Sequence, residues 1–231
     1  MKKLLLTRLP EDNEEDRRYF EQRGFQCVQL PLMQLTPRQP VEDSVIEQLQ
    51  AADWIFLTSQ HSASFFVELV RTNLPASFFE EKKFAVIGEQ TAAVLKYWGI
   101  RVDFQAQTPL KEKLFEEWSA TQVCQGACAK IVYPKSSLAD DRGEQLLTTA
   151  GHKLFTFVLY DNQLPVEAVQ KLKAFLGDSI LSAVYFTSPS LWQRFYAVYQ
   201  QLSYQPDLSF FCVGRTTQQL IEQAGFNAEL K

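Results

Sequence analysis

The chain has 231 residues, 46% of them hydrophobic and 22% charged, with a net charge of -4, which is the composition of a globular protein with one large or two small domains. The net acidic charge argues against a nucleic-acid partner. Because the apolar run 4–6 is too short for a secretion signal and no run reaches membrane-spanning length, we expect a cytoplasmic protein without membrane contact.

Apolar runs of strand length alternate with helical segments along the chain. Strands are predicted at 2–8, 25–35, 53–58, 84–87, 102–105, 130–133 and 154–160, and helices at 10–24, 41–52, 60–71, 91–98, 110–118, 137–150 and 165–176. Pro31 predicts that its segment is an edge or linker strand, since proline cannot donate to a ladder. The alternation predicts an α/β fold with parallel sheets.

The segments 54–100 and 183–226 repeat one pattern of strand, tight turn and helix, followed by a second strand, turn and helix. In both copies Thr-Ser ends the first apolar run and Gly-x-x-Thr follows the second. Ser59 and Ser188 are 129 residues apart, and the glycines of the second turns are 126 residues apart. This steady offset indicates a duplication and therefore two similar domains.

Two proline-containing segments, 31–40 and 155–165, are predicted to be linker strands at which the chain crosses between the domains. One domain then covers 41–154, and the other combines 1–30 with 166–231. The sequence thus predicts two similar parallel-sheet α/β domains, joined by a two-stranded linker and separated by an interdomain cleft. Relative motion of such domains is the default expectation.

The turns between strand and helix are the candidate binding elements. They lie at 58–59, 88–91, 187–190 and 214–217. A helix N-terminus presents unpaired N–H groups that attract anions, and ligands of open α/β sheets bind at the carboxyl ends of the strands. These turns predict a site for a ligand with several anionic groups. Taken singly, their serines and threonines are better explained as helix N-caps, and their glycines can be turn residues only.

Several other kinds of site have little support. The sequence contains no G-x-G-x-x-G, Walker A or G-x-S-x-G motif, which argues against a nucleotide-dependent transferase. Cys124 and Cys128 are spaced C-x3-C, but neither histidine stands in ligand spacing with them, so no metal is predicted. Cys27 and Cys212 lie in apolar runs and are predicted to be buried thiols. His61 is most simply a residue of a helix start.

With these turns located, the chain resembles the uroporphyrinogen-III synthase family over nearly its whole length. The resemblance is carried by LLLTR at 4–8, DWIFLTSQHSASFF at 53–66, FAVIGEQTAAVLKYWGI at 84–100, VYPKS at 132–136, VLYDN at 158–162, AVYFTSPS at 183–190 and VGRTTQQLIEQAGF at 213–226. Each motif is weak alone, and their order and duplication make the match specific. The resemblance implies two α/β domains joined by a two-stranded ladder, and an enzyme that needs no cofactor.

The resemblance also implies a reaction. The family converts linear hydroxymethylbilane into uroporphyrinogen III in heme biosynthesis, inverting ring D while closing the macrocycle and losing water. Loss of the ring A hydroxyl gives an azafulvene, which ring D attacks through its substituted carbon to form a spiro intermediate. The implied partner is this small polycarboxylate substrate, and we expect the protein to be a monomer. A weak acid beside the leaving hydroxyl would assist the reaction.

In the family the tyrosine at the end of the second linker strand is the usual candidate for this acid, and it corresponds to Tyr160. The alternative is that Tyr160 is a linker aromatic packed against a domain face. The implied substrate-binding residues are Thr7, Arg8, Thr58, Ser59, Gly88, Thr91, Lys135, Ser188, Gly214, Thr216 and Thr217. Arg8 and Lys135 end corresponding strands, where they would meet substrate carboxylates or be plain solvated charges.

The chain departs from the family pattern at three places. Arg215 stands where the family often has proline, and the pair Gln60-His61 replaces a proline-containing turn. Only 226–231 follow Gly225, so we expect the second repeat to lack the last strand and helix of its twin. The competing hypothesis is a non-enzymatic two-domain binding protein for a small polycarboxylate or another anion, for which the Tyr160 hydroxyl would be dispensable.

Overall fold

The computed structural model describes residues 2–122, 128–178 and 180–231. Two compact units emerge, one made of Met1–Leu35 with Gln163–Lys231 and the other of Thr36–Asn162. The predicted domain bounds remain a prediction, which limited proteolysis in the two linker segments would test. Among the described residues, no helix combines the length and the apolar character needed to cross a membrane.

Strands and helices alternate along both units. The strands are β1 (Lys2–Leu6), β2 (Phe25–Gln29), β3 (Gln34–Pro37), β4 (Trp54–Leu57), β5 (Lys83–Val86), β6 (Phe104–Gln105), β7 (Lys130–Ser136), β8 (Lys153–Gln163), β9 (Ala183–Phe186), β10 (Ser209–Cys212) and β11 (Ala228–Leu230). The helices are α1 (Glu14–Gln22), α2 (Asp43–Ala51), α3 (Gln60–Asn73), α4 (Phe78–Glu81), α5 (Glu89–Tyr97), α6 (Lys111–Gln122), α7 (Glu144–Thr149), α8 (Val166–Gly177), α9 (Pro189–Tyr199) and α10 (Arg215–Gln223).

The first unit is built on a five-stranded sheet in the order β11-β10-β9-β1-β2, with every neighbouring pair parallel. Leu5 of β1 joins a core with residues of α8, α9 and α10. Leu4 and Leu6 point to the opposite face, where Phe20 of α1 packs on Tyr185. Because helices cover both faces, β1 has a continuous apolar run instead of an alternating one.

The second unit is built on a six-stranded sheet in the order β3-β8-β7-β4-β5-β6. The pairs β4–β5, β4–β7, β5–β6 and β7–β8 are parallel. Trp54 and Phe56 of β4 pack against Trp118 of α6, with ring centroids 5.3 and 5.0 Å apart. The predicted α/β class with parallel sheets is confirmed.

Several predicted elements differ in extent from the observed ones. The predicted strand at 25–35 is two strands, β2 and β3, which lie at the edges of different sheets on either side of Pro31. The predicted helix at 137–150 begins only at Glu144. Strand β8 continues to Gln163, so most of the predicted linker 155–165 is part of the six-stranded sheet.

The expectation that the second repeat lacks its last strand is wrong. Strand β11 follows α10 and pairs in parallel with β10, as β6 pairs with β5 in the twin unit. Its three residues were too few to produce a recognisable pattern. Within the residues described, no helix comparable to α6 follows it.

The cysteines fit the predictions only in part. Cys212 is fully buried, as expected, and burial raises its thiol pKa. Cys27 is only half-buried, so its prediction as a buried thiol is wrong, although partial burial still raises its pKa to about 11. Cys124 lies outside the described residues, and Cys128 is exposed. The described ranges contain no cluster of side chains suited to a metal ion.

His152 provides a pH-dependent term in the stability of the second unit. Its Nδ1 accepts a hydrogen bond from the Ala129 N–H at 3.2 Å, and its buried ring packs on Trp118. Burial lowers the pKa of His152 below 6.5. The folded state therefore binds the proton less well than the unfolded state, and stability is lost as pH falls through the unfolded value.

We expect the free energy of unfolding, measured by urea titration, to fall between about pH 7 and about pH 5. The fall should be smaller in His152→Gln, which keeps a side-chain acceptor but does not titrate. Equal pH dependence in the two proteins would show that His152 contributes nothing to it.

Candidate active site

Each sheet has one position at which the strand order reverses. In the six-stranded sheet the chain runs from β4 through β5 to β6 on one side and from β7 to β8 on the other, so the reversal lies between β4 and β7. In the five-stranded sheet the reversal lies between β9 and β1. Ligands of open α/β sheets bind at such switch points, outside the carboxyl ends of the strands. Each unit therefore has its own candidate site.

At the switch point of the second unit, Thr58 and Ser59 follow β4. Ser59 is the N-cap of α3, and its Oγ accepts the Ser62 N–H at 3.0 Å. The Ser62 Oγ accepts the Ser59 N–H at 3.1 Å in return, which completes a capping box. The N-cap explanation is thus correct for Ser59. The Thr58 hydroxyl lies 3.2 Å from that of Tyr133, whose pKa burial raises to about 12 against the lowering effect of this hydrogen bond.

Tyr160 of β8 belongs to the same site. Its hydroxyl lies 3.4 Å from the Ser59 Oγ, and Ser136 stands opposite Tyr160 in the pairing of β7 with β8. The residue is 6% exposed, and its ring packs at 5.1 Å on Phe65. Burial raises the pKa of the phenol, against the lowering effect of the two serines. Tyr160 therefore combines a packed ring with a hydroxyl that stays protonated at neutral pH.

The cation of the second unit's site is held by carboxylates of its own chain. The Lys135 Nζ lies 2.6 Å from Asp141 and 2.9 Å from Glu144. Burial alone would lower the pKa of Lys135, but the hydrogen bonds to these two carboxylates outweigh it and raise the pKa. Lys135 is accordingly not a plain solvated charge.

The first unit repeats this arrangement with Arg8, which follows β1. Its guanidinium lies 3.6 Å from Asp12 and 3.5 Å from Asp16. Asp16 is buried, accepts a hydrogen bond from the Tyr185 hydroxyl at 3.0 Å and also pairs with Lys231. Both predicted substrate cations thus contact two carboxylates each.

The remaining predicted residues of the first unit differ in exposure. Thr7 is buried and donates a hydrogen bond to the Tyr185 carbonyl at 2.8 Å. Ser188 is the N-cap of α9, but within the described structure its hydroxyl does not cap the helix and lies 3.1 Å from the Ser190 hydroxyl. Thr216 is exposed and Thr217 is buried, both in the first turn of α10.

The two predicted glycines have different local roles. Gly214 precedes α10 with φ 77°, a left-handed conformation that favours glycine. Gly88 precedes α5 with an extended backbone that any residue adopts, and an added Cβ would lie 3.4 Å from the Pro109 Cβ. Thr91 is buried in the first turn of α5. His61 lies in the first turn of α3, as predicted.

Three residues of these sites were missed by the sequence reasoning. Ser136 and Tyr133 lie inside the recognised segment VYPKS, but only the folded sheet brings their hydroxyls to Tyr160 and Thr58. Asp16 lies on α1 and Arg8 lies before this helix, so no helical spacing marks their contact.

The fold and the two switch points define an α/β protein with hydroxyl groups and helix N-termini at the carboxyl edges of two parallel sheets. The sequence profile of the family described as Uroporphyrinogen-III synthase HemD matches residues 14–230. The chain therefore belongs to the uroporphyrinogen-III synthase family, which comprises cyclising hydro-lyases of porphyrin biosynthesis.

Individual relatives agree with this assignment. A uroporphyrinogen-III synthase of Chlorobaculum parvum is 22% identical over 233 residues, covering 100% of this chain and 92% of the relative. The porphyrin biosynthesis protein HemD of Ruminiclostridium josui is 25% identical, over 93% of this chain but only 42% of its own length.

Solved structures show the same fold. A mutant uroporphyrinogen III synthase of Thermus thermophilus matches with a TM-score of 0.65 at 14% identity, and the Helicobacter pylori uroporphyrinogen-III synthetase with 0.62 at 15%. Each match covers 100% of this chain and 92% of the other.

Proposed function

We propose that this chain closes hydroxymethylbilane to uroporphyrinogen III, with inversion of ring D and loss of water, and that Tyr160 is the general acid. The observation that carries the proposal is the position of the Tyr160 phenol, at the switch point of the second unit and 3.4 Å from the Ser59 hydroxyl. The family assignment supplies the reaction.

A phenol suits the first chemical step. The hydroxyl of the substrate leaves as water only if it gains a proton while its C–O bond breaks. Because burial raises the pKa of Tyr160, the phenol is protonated at neutral pH and can supply that proton. The later ring closures use the intrinsic reactivity of the pyrroles, for which orientation is the main requirement.

Substrate carboxylates would be recognised chiefly by backbone N–H groups. Lys135 faces two carboxylates, and Lys231 shares one of the two carboxylates beside Arg8, so neither cluster carries a net positive charge. By contrast, three helices in the described part of the chain, α5, α9 and α10, have no side-chain capping bond from their N-cap residue. No N-cap side chain therefore competes with a ligand for the first N–H groups of these helices. Thr91 and Thr217, in the first turns of α5 and α10, would orient the bound carboxylates.

The isomer of the product tests this function. Spontaneous closure of hydroxymethylbilane gives uroporphyrinogen I, so we expect the protein to divert the product to isomer III, separated by chromatography after oxidation. Ser64→Ala, an exposed change on α3, is the matched control and should make isomer III at the wild-type rate. Isomer I alone, from protein that binds the bilane, would favour the non-enzymatic binding protein.

We also propose that the chain acts as a monomer in the cytoplasm. The composition, which is that of a globular protein, supports this proposal. Sedimentation equilibrium would test the oligomeric state.

A further inference from the structure

A β-bulge brings Ser136 opposite Tyr160. Strands β7 and β8 pair residue for residue from Lys130 with Lys153 to Lys135 with Val158, and the register then shifts so that Ser136 pairs with Tyr160. Without the shift Ser136 would face Leu159. Because successive side chains of a strand point to opposite faces, the bulge puts the serine and tyrosine side chains on the same face.

Ser59 and Ser136, the two serines beside Tyr160, each accept one hydrogen bond from a backbone N–H. The Ser59 Oγ accepts the N–H of Ser62 at 3.0 Å, and the Ser136 Oγ accepts the N–H of Leu138 at 3.2 Å. A serine hydroxyl has one hydrogen to donate and two acceptor positions. With a backbone N–H already on each oxygen, both hydroxyl hydrogens are available to the phenol oxygen.

We propose that Ser136 is a positioning residue for Tyr160: together with Ser59 it donates to the phenol oxygen, so that the hydrogen of Tyr160 is left for the leaving hydroxyl of the substrate. The inference rests on the proposed function and deepens it. The phenol oxygen has two acceptor positions, which the two serines fill. The ring is buried and packs on Phe65, which restricts its movement away from them.

The same two donors serve the charged form of the acid. As the C–O bond breaks, its electron pair goes to oxygen and the Tyr160 proton joins it, which releases water and leaves a phenolate. Ser59 and Ser136 then stabilise the phenolate by donating to it. A proton lost from carbon when the last pyrrole regains aromaticity returns to the phenolate, so the cycle closes without a co-reactant.

Kinetics of serine variants give the first test. Ser136→Ala should lower kcat by about 2–10-fold, the effect of one hydrogen bond, with KM unchanged. Ser136→Thr keeps the hydroxyl and should restore kcat. The matched control is Ser137→Ala, which removes a hydroxyl that accepts the Asn162 N–H in the same loop and should keep the wild-type rate.

A double-mutant cycle separates positioning from a general loss of structure. In the Tyr160→Phe background there is no phenol oxygen, so adding Ser136→Ala should cost no further kcat. An equal loss in both backgrounds would overturn the inference, because the serine would then act independently of the hydroxyl.

The titration of Tyr160 tests the contact without using turnover. Protein labelled with 3-fluorotyrosine is titrated by fluorine NMR, and the Tyr160 signal is assigned by its absence in Tyr160→Phe. Loss of a donor to the phenolate should raise the Tyr160 pKa in Ser136→Ala and leave it unchanged in Ser137→Ala. An unchanged pKa in Ser136→Ala overturns the inference. If the pKa rises while Tyr160→Phe keeps full activity, the contact stands and the proposed acid role fails.

Discussion

Tyr160→Phe is expected to lower the turnover of hydroxymethylbilane to isomer III by about 10²-fold, the low end of the range for a general acid. The low end is expected because the pyrroles are reactive without protein assistance. The fold should persist, since phenylalanine keeps the ring contact with Phe65 and removes only the hydroxyl and its hydrogen bond to Ser59. Initial rates of isomer III formation measure the turnover, and circular dichroism checks that the fold is retained.

The matched control for this change is Tyr97→Phe, which removes a hydroxyl from an exposed residue of the same unit. It should leave turnover unchanged. If Tyr160→Phe also keeps full turnover, Tyr160 is not the acid. The protein would then act mainly by holding the bilane in a geometry that favours ring D inversion.

Asp16→Ala is expected to destabilise the first unit by about 2–3 kcal/mol. The change leaves Arg8, Lys231 and the Tyr185 hydroxyl without a shared carboxylate in a buried position. We place the cost below that of a fully buried pair because the side chains of Arg8 and Lys231 keep 24% and 21% of their exposure. Urea unfolding should show an earlier transition.

Hydrogen exchange would locate the effect of Asp16→Ala. Amides of β1 and β9 should exchange faster, whereas those of β4 in the other unit should not change. Glu14→Ala on the same helix is the control, because Glu14 pairs with Arg17 and Arg18 at the surface and its loss should matter far less. Equal effects of the two substitutions would show that the burial of Asp16 adds nothing to the stability of the first unit.

The regular elements could be predicted because parallel strands covered on both faces produce continuous apolar runs. The runs in β4 and β9 are four residues each and fully buried, and each is followed by a serine N-cap. Strand β11 has only three residues, too few for a recognisable strand pattern. It is a strand because it pairs with β10. Short edge strands of this kind depend on tertiary contacts.

The positions of the turns at the candidate site could be predicted from the sequence, but the hydrogen-bond partners of their side chains could not. Thr-Ser marks both switch points, yet Ser59 completes a capping box and Ser188 does not. The contact of Ser136 with Tyr160 depends on a shift of register that no local pattern marks. Because the sequence does not show these contacts, Arg8 and Lys135 were expected either to meet substrate carboxylates or to be solvated charges. Their pairing with carboxylates of the same chain was not predicted.

The paired cations of the two units have a consequence for how the protein responds to salt. The cluster of the second unit has one positive and two negative groups, the cluster of the first unit pairs Arg8 and Lys231 with two carboxylates, and the chain as a whole carries -4. A polyanionic substrate is therefore repelled at long range and attracted only at contact, by dipoles of the backbone. At 0.1 M ionic strength, salt screens charge repulsion over distances longer than about 10 Å. It weakens short hydrogen bonds much less. The association rate should therefore rise with ionic strength, opposite to the behaviour of a site lined by free arginines and lysines.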